Sequence, residues 1–560
     1  MTSATTNGII LAAALLSGAV VYLRNKKRPA LPYPPGPKKH FLLGNLLDVP
    51  TKFAWKTYAQ WGKAFDSDIL HLSVAGNDFI ILNTFSAAND LFEKKSSIYS
   101  SRPQFTMVSE LMGWDWLMSG MVYGEPWRER RRAFQQYFHA GNAPLYQPAQ
   151  MEAIRKMLPR LLNTPEDFLS ITRQKEEFCV DEKDDFYSAL GTMALSLAYG
   201  LDIREDNDPY LNLSEEAVKS IGEAAVPGAF LVDVIPALKY VPEFFPGAGF
   251  KKKARIWKGM QEGMREIPYA DTVKNITRSS YSSDDGVQEV GNARVSFTST
   301  CLENLDESGN IEHQRTVVKD TAAIVFAAAT DTTLSAIHTF FVAMLCFPES
   351  QRKAQEELDR VLGGRLPEFS DEADLPYLSA LVKEVLRSST YAMIQMATLD
   401  AHRFAAIPHY ASEDDVYNGY HIPKGSLVIG NAWAMLHNED DYPEPSLFRP
   451  ERFLKHGQLD PDVRDPALMA FGFGRRLCPG NHIAISALWL TAATVLATFD
   501  ITEAIDGNGL PIEPSVEYES ALICKAHGEN GYSHPLPFKC TIKPRSKAST
   551  TLIQSASDSL

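Results

Sequence analysis

Cysteine is sparse in this sequence. Six occur in 560 residues, Cys179, Cys301, Cys346, Cys478, Cys524 and Cys540, far apart and with no C-x-x-C pair. That spacing excludes a disulfide framework and a cysteine zinc site; it reads as reduced thiols on the cytosolic side. Basic charge is also short, with 55 Lys and Arg against 69 Asp and Glu and a net charge of −14. A nucleic-acid partner is not expected of such a chain. No Gly/Ser linker, low-complexity run or internal repeat divides the middle of the sequence. One large domain is therefore expected, and the 45% apolar content is ample for its core.

One apolar run stands out at the N-terminus. "GIILAAALLSGAVVYL" (8–23) is uncharged, and "RNKKR" (24–28) follows at once. As a helix it spans roughly 24 Å, against about 27 Å for an endoplasmic-reticulum bilayer. A cleaved signal peptide is the rival reading, but there the basic residues precede the apolar run. Here they follow it, as in a stop-transfer segment with its basic side cytosolic. We expect residues 1–28 to be a single-pass membrane anchor with its basic flank. Residues 29–37 are a proline-rich hinge, since proline cannot continue the helix. The body is 38–545, and 546–560 is expected to be a disordered tail.

The body's most informative stretch is "FGFGRRLCPG" (471–480). A strongly helical pattern follows it, so Cys478 stands just before a helix N-terminus, which favours a thiolate. Gly472, Gly474 and Gly480 allow tight turns and close approach to a flat ligand. Arg476 is placed to meet an anion. Alone, Cys478 reads as well as a buried structural cysteine. The spacing Phe471-x-x-Gly474-x-Arg476-x-Cys478-x-Gly480 is more specific. It resembles the haem-binding signature of the cytochrome P450 superfamily, in a fungal microsomal form of the kind found in secondary metabolism.

The resemblance implies a mainly α fold with small β-sheets (α+β), a single large haem domain. It makes Cys478 the thiolate ligand of haem iron, Phe471 a packing partner beside the thiolate and Arg476 a contact to a haem propionate. Four other segments fit. "EPWRERRRAFQQYF" (125–138) is a basic amphipathic helix with Trp127 and Arg131 on one face; the resemblance gives both to a propionate. "IPH" (407–409) resembles a strand whose His409 meets a propionate. "KEVLR" (383–387) puts Glu384 and Arg387 three apart, off an apolar stripe. Read by itself this is a surface ion pair of little worth. With "FRPERF" (448–453), the resemblance makes Glu384, Arg387 and Arg452 a structural triad behind the haem.

A long helix from about Arg315 to Cys346 carries "FAAATDTT" (326–333). Asp331, Thr332 and Thr333 are poor residues for the middle of an apolar helix. The resemblance makes Asp331 and Thr332 the catalytic acid–alcohol pair that relays protons to dioxygen. Ala329 departs from the family, which usually has glycine there. Four stretches depart from family spacing: 173–188, 278–293, 388–402 and 525–533. Each reads either as a loop insertion or as translated intron.

The implied activity is monooxygenation. One oxygen atom enters a small apolar organic substrate, such as a terpenoid, aromatic, alkaloid or xenobiotic. The cofactor is haem b (iron protoporphyrin IX). NADPH acts indirectly, through NADPH–cytochrome P450 reductase docked near Arg475 and Arg476, with cytochrome b5 as a further partner. The location is the endoplasmic-reticulum membrane, with lipid as a partner and the catalytic domain in the cytosol. The alternatives are a haem-thiolate isomerase or peroxygenase, and a haem-binding protein impaired by its inserted segments.

Overall fold

Apolar periods of 3.6 residues dominate the sequence, and helices dominate the computed structural model of the chain. It describes residues 31–558 except 42, 51–52, 75, 166–184, 205–207, 226–228, 282–293, 397–406 and 513–537. At 185–188, 278–281, 330–331, 389–396 and 557–558 it describes the backbone alone. The expected anchor, 1–28, and the stretch 525–533 lie outside the described residues. So do most of 173–188 and 278–293 and the end of 388–402.

The helices longer than ten residues are α1 (Ala54–Ala64), α2 (Glu125–Phe138), α3 (Ala143–Asn163), α4 (Asp185–Tyr199), α5 (Pro209–Ala224), α6 (Gly249–Tyr281), α7 (Ile311–Cys346), α8 (Pro348–Leu362), α9 (Pro376–Met396), α10 (Asn481–Thr498) and α11 (Lys547–Asp558). The strands are short: β1 (Ile69–Val74), β2 (Asn77–Leu82), β3 (His409–Tyr410), β4 (Asp415–Tyr417), β5 (Tyr420–Ile422), β6 (Leu427–Gly430), β7 (Leu454–Lys455), β8 (Gln458–Leu459), β9 (Phe499–Glu503) and β10 (Cys540–Pro544). The largest sheet has the order β1-β2-β6-β3, with β2 and β6 parallel and the other pairs antiparallel. This is the expected mainly α architecture with small sheets.

The core forms around α7, 36 residues and therefore about 54 Å long. Asn310 caps it, its Oδ1 accepting the His313 N–H at 3.1 Å. α7 packs against α2, α4, α6, α9 and α10. Both α7 and α10 are long and apolar enough to cross a membrane. They are nevertheless buried at the centre, among Phe340, Phe341, Leu488 and Trp489. The junction of α8 and α9 is pinned by Glu357, whose carboxylate accepts the first N–H groups of α9, from Tyr377 and Leu378, at 2.9 Å each.

The described part of the hinge meets two sheets: His71 N, on β1, donates to Pro35 O at 2.9 Å and His421 N, on β5, to Pro32 O at 2.8 Å. The tail is not disordered, because Lys547–Asp558 forms α11. Ser546 Oγ caps it by accepting the Ser549 N–H at 3.0 Å. Ile553 and Ala556, three apart, are buried where α11 lies on α3 and α10. A Ser/Thr-rich composition hid one short apolar face.

Candidate functional site

The cysteine loop is held by its own backbone. Gly472 and Gly474 have positive φ, 81° and 57°. A Cβ on Gly474 would stand 2.1 Å from Phe92 O, so no other residue fits. Cys478 N donates to Phe471 O at 2.8 Å, closing the loop beneath the buried Phe471 ring. Cys478 is surface-accessible, yet burial raises its pKa. A thiol with both properties faces space enclosed by the fold, not bulk water. The Gly480 N–H and Arg131 oppose that rise but do not overcome it. Within the chain alone, burial thus outweighs the helix end, and a metal bound at the sulfur would favour its deprotonation.

Around the loop lies a set of buried and half-buried basic side chains. Arg476 donates from Nε to Ser100 O at 2.6 Å, from Nη1 to Met118 O at 3.0 Å and from Nη2 to Met121 O at 2.6 Å. Its guanidinium lies 4.6 Å from the centre of the buried Trp127 ring. Burial, and then Arg131, push its pKa down to about 9. Arg131, four residues beyond Trp127 on α2, donates from Nη1 to Leu477 O at 2.6 Å. Burial lowers its pKa, while Cys478 acts the other way. His409 stacks on Phe92 at 3.9 Å and meets Tyr99 O through Nδ1 at 2.7 Å. Burial and the charges of Arg102 and Arg476 hold its pKa well below the usual value, so it is neutral.

Arg102 belongs to this set and was missed in the sequence. It donates from Nη1 to Ile407 O at 2.7 Å and Pro408 O at 2.9 Å, and from Nε to Ser119 O at 3.2 Å. It sits in a loop with no periodicity, so no pattern marks it. Among the described residues Arg102, Arg131 and Arg476 have no carboxylate partner. Such charge is costly to bury without an anion, and the two propionates of a haem meet that need. Nor do the described residues hold a cluster of three or more His, Cys, Asp or Glu fit for a metal. Among the described residues Cys478 thus has no protein co-ligands for a metal, and a group that brings its own ligands suits it. On both counts the residues fit haem.

Glu384, Arg387 and Arg452 come together as a second, closed set. Arg387 donates to Glu384 Oε2 from Nε at 2.7 Å and to Oε1 from Nη2 at 2.9 Å. Arg452 Nε donates to Oε2 at 3.1 Å, and Arg449 N to Oε1 at 2.9 Å. Glu384 and Arg387 are fully buried, which excludes the surface ion pair.

Along α7, residues 321–326 and 333–340 are buried, but Ala328 is exposed and Ala327 and Ala329 are half-buried. Bare alanines amid a buried helix mark interior space beside it. Thr332 Oγ1 donates to Ala328 O at 2.7 Å, and the α-helix runs unbroken through Ala329. The Asp331 side chain lies outside the described residues. A surface groove of about 390 Å³ between α6 and α7, lined by Tyr269, Leu302, Arg315 and Lys319, contains none of the predicted site residues.

Relatives of known name share this sequence over nearly its whole length. It is 42% identical to cytochrome P450 monooxygenase ple1 of Rhodocybe pseudopiperita, over 97% of this chain and 96% of the relative. Identity is 39% to cytochrome P450 monooxygenase 98 of Postia placenta, over 98% and 97%. It is 40% to tryptamine 4-monooxygenase of Psilocybe cyanescens, over 96% and 98%. The family model described as Cytochrome P450 matches residues 34–518, a span that takes in both arginine sets, the alanine stretch and the cysteine loop. The chain therefore belongs to the cytochrome P450 family and is an oxidoreductase of the P450 type.

Proposed function

We propose that this protein is a haem-thiolate monooxygenase that hydroxylates an apolar fungal secondary metabolite with an aromatic, alkaloid or terpenoid skeleton. The observation that carries the reading is the cysteine loop bordered by the buried Arg102 and Arg476 and the half-buried Arg131, with no carboxylate partner for them among the described residues. Cys478 ligates haem b; Trp127, Arg131, Arg476 and His409, with Arg102, hold its propionates; Phe471 packs beneath the thiolate. When bound, thiolate-ligated haem activates dioxygen, taking two electrons and two protons, so that one oxygen atom enters a C–H bond and the other leaves as water. Thr332 Oγ1 and the Asp331 carboxyl hold and pass the protons. The Ala329 methyl narrows their groove. Glu384, Arg387 and Arg452 keep the fold rigid behind the site. The relative named tryptamine 4-monooxygenase favours an aromatic amine among candidate substrates.

Electrons come from NADPH through a membrane-bound reductase, with cytochrome b5 as a second donor. Arg475 is the docking residue. It is exposed, with Nη1 2.7 Å from Tyr123 Oη, and Arg128 lies over the same ring. Arg476, expected beside it at that surface, is buried and hydrogen-bonded inward, so it is not a docking residue. The endoplasmic-reticulum membrane is the site of action. Residues 1–28 anchor the chain, and Leu231, Val234, Ile235, Tyr240, Phe244 and Phe245, all exposed, meet lipid.

The test is expression in microsomes with the reductase. The expected result is a thiolate-type reduced carbon-monoxide band, spectral shifts with aromatic amines or terpenoids, and NADPH-dependent product. Failure to take up haem overturns the reading. Turnover with peroxide but not with NADPH replaces it by a peroxygenase.

A further inference from the structure

One buried charge belongs to neither arginine set. Asp320, on α7, is fully buried. Its Oδ2 accepts from Arg130 of α2, Nε at 3.0 Å and Nη2 at 2.5 Å. Its Oδ1 accepts from Arg265 of α6, Nε at 2.6 Å, and Arg265 Nη2 reaches the same oxygen. Each oxygen thus takes the edge of one guanidinium, and three helices meet at one carboxylate. Arg130 Nη1 also donates to Pro126 O at 2.9 Å, fixing the guanidinium against its own helix. Arg265 lies over the Trp116 ring.

Arg130 and Arg131 are neighbours in sequence and point about 100° apart around α2. Arg130 turns to Asp320. Arg131, with Trp127 one turn before it, turns to the cysteine loop. Rotating α2 by one residue would bring Arg131 to the place of Arg130 and Arg132 to that of Arg131, and nothing in the chemistry of three arginines opposes that slip. The position of the carboxylate does, together with the buried Phe134, Tyr137 and Phe138 of the same helix. Buried ionic groups are seldom more stabilising than apolar ones of equal volume, and fixing a register is their best-attested use.

We propose that Asp320 is a positioning residue: by holding Arg130 it sets the rotation of α2 and aims Trp127 and Arg131 at the cofactor side of the cysteine loop. This rests on the haem reading above. Arg265 closes the second oxygen and ties α6, but it does not touch α2.

The full-length chain, loaded with haem, tests this. Haem release to excess apomyoglobin and the form of the reduced carbon-monoxide band are measured beside the melting temperature. Arg130→Gln and Asp320→Asn are expected to release haem about 10- to 100-fold faster and to lose part of the thiolate-type band. Arg265→Gln is expected to lower the melting temperature while leaving haem release and the band as in the wild type. Asp320→Glu, which keeps the charge, should restore part of the retention. If Arg130→Gln and Arg265→Gln change haem release equally, or neither changes it, the cluster is merely structural and the proposal is wrong. Should Asp320→Asn not fold, Arg130→Gln against Arg265→Gln decides alone. A wild-type protein that takes up no haem overturns both readings, whereas a normal wild type with an unaltered Arg130→Gln overturns only this one.

Discussion

Two of the arginine sets in the body, one around the cysteine loop and one around Glu384, differ in their anion. Arg387 and Arg452 close on Glu384, which also takes the Arg449 N–H. Every charge there is answered within the chain. Among the described residues Arg102, Arg131 and Arg476 are answered by carbonyl oxygens and no carboxylate, and the neighbouring histidine stays neutral because burial, and then the charges of Arg102 and Arg476, disfavour its charged form. A set complete in itself serves the fold; a set short of an anion serves a ligand. Burial alone does not separate the two, since each mixes buried arginines (Arg102 and Arg476; Arg387) with a half-buried one (Arg131; Arg452). The inventory of partners does.

The largest effect breaks neither set. Cys478→Ser removes the thiolate and should abolish the thiolate-type carbon-monoxide band and monooxygenation together, leaving both arginine sets intact. Serine is a poor soft ligand, so residual haem should show a non-thiolate spectrum. Retained thiolate-type absorption would assign the ligand to another cysteine. Next comes the closed set. Glu384→Ala leaves two arginines buried without their anion and should cost about 3–5 kcal/mol of folding stability, read by denaturant unfolding with or without haem. Stability within 1 kcal/mol of wild type (roughly the median worth of a surface pair) would show that this set is not the fold's own.

The sequence made one of these sets easier to read than the other. Cys478, Gly474 and Phe471 are legible because a loop that must turn with positive φ and end at a helix admits few residue types. Glu384 and Arg387 are legible as a pair, but their spacing placed them off the apolar stripe. Only the structure puts them at full burial, because a second element, Pro450–Phe453, covers that face. Arg102 and the Asp320 cluster are illegible, since their partners lie far away in sequence: 305 residues from Arg102 to Ile407 and 190 from Arg130 to Asp320. α1, α2, α5 and α8 follow an apolar period, whereas the central α7 and α10 are apolar without one. α11 was lost because its apolar face rests on a few residues in a polar tail. Cys478 shows the limit in another way. Its position at a helix end is local and predicts a lowered pKa, whereas its enclosure is a property of the whole fold and wins.

The open set gives a smaller, sharper test. Arg131→Met removes a half-buried charge that no carboxylate among the described residues neutralises, at the cost of one hydrogen bond, to Leu477 O. Haem-free protein should therefore unfold no earlier than wild type, since the lost bond is worth only about 1 kcal/mol. Haem should leave about tenfold faster, as for other groups around a metal site. The opposite pattern, lower haem-free stability with unchanged haem release, would move Arg131 into the structural class beside Arg387.

The smallest effect uses the histidine attached to each set. His409 lies by Arg102 and Arg476. His437 lies by Arg387, Lys56 and Arg452, and burial with those charges pushes its pKa down to about 3. Both folded-state values lie below the unfolded value of about 6.5. The unfolded chain thus binds more protons below that pH, and stability is lost as pH falls from about 7 toward the folded-state values. At pH 6 the loss is under about 1 kcal/mol per histidine. His437→Asn should lessen the acid slope of unfolding equally with and without haem, because its surroundings are complete. His409→Asn should lessen it chiefly in haem-free protein. If the propionates of a bound haem lie beside His409, as proposed, they should favour its imidazolium, raise its folded-state pKa and remove its share of the slope. Equal behaviour of the two variants in both forms would mean that the ligand's negative charge does not reach His409, and the open set would lose that member.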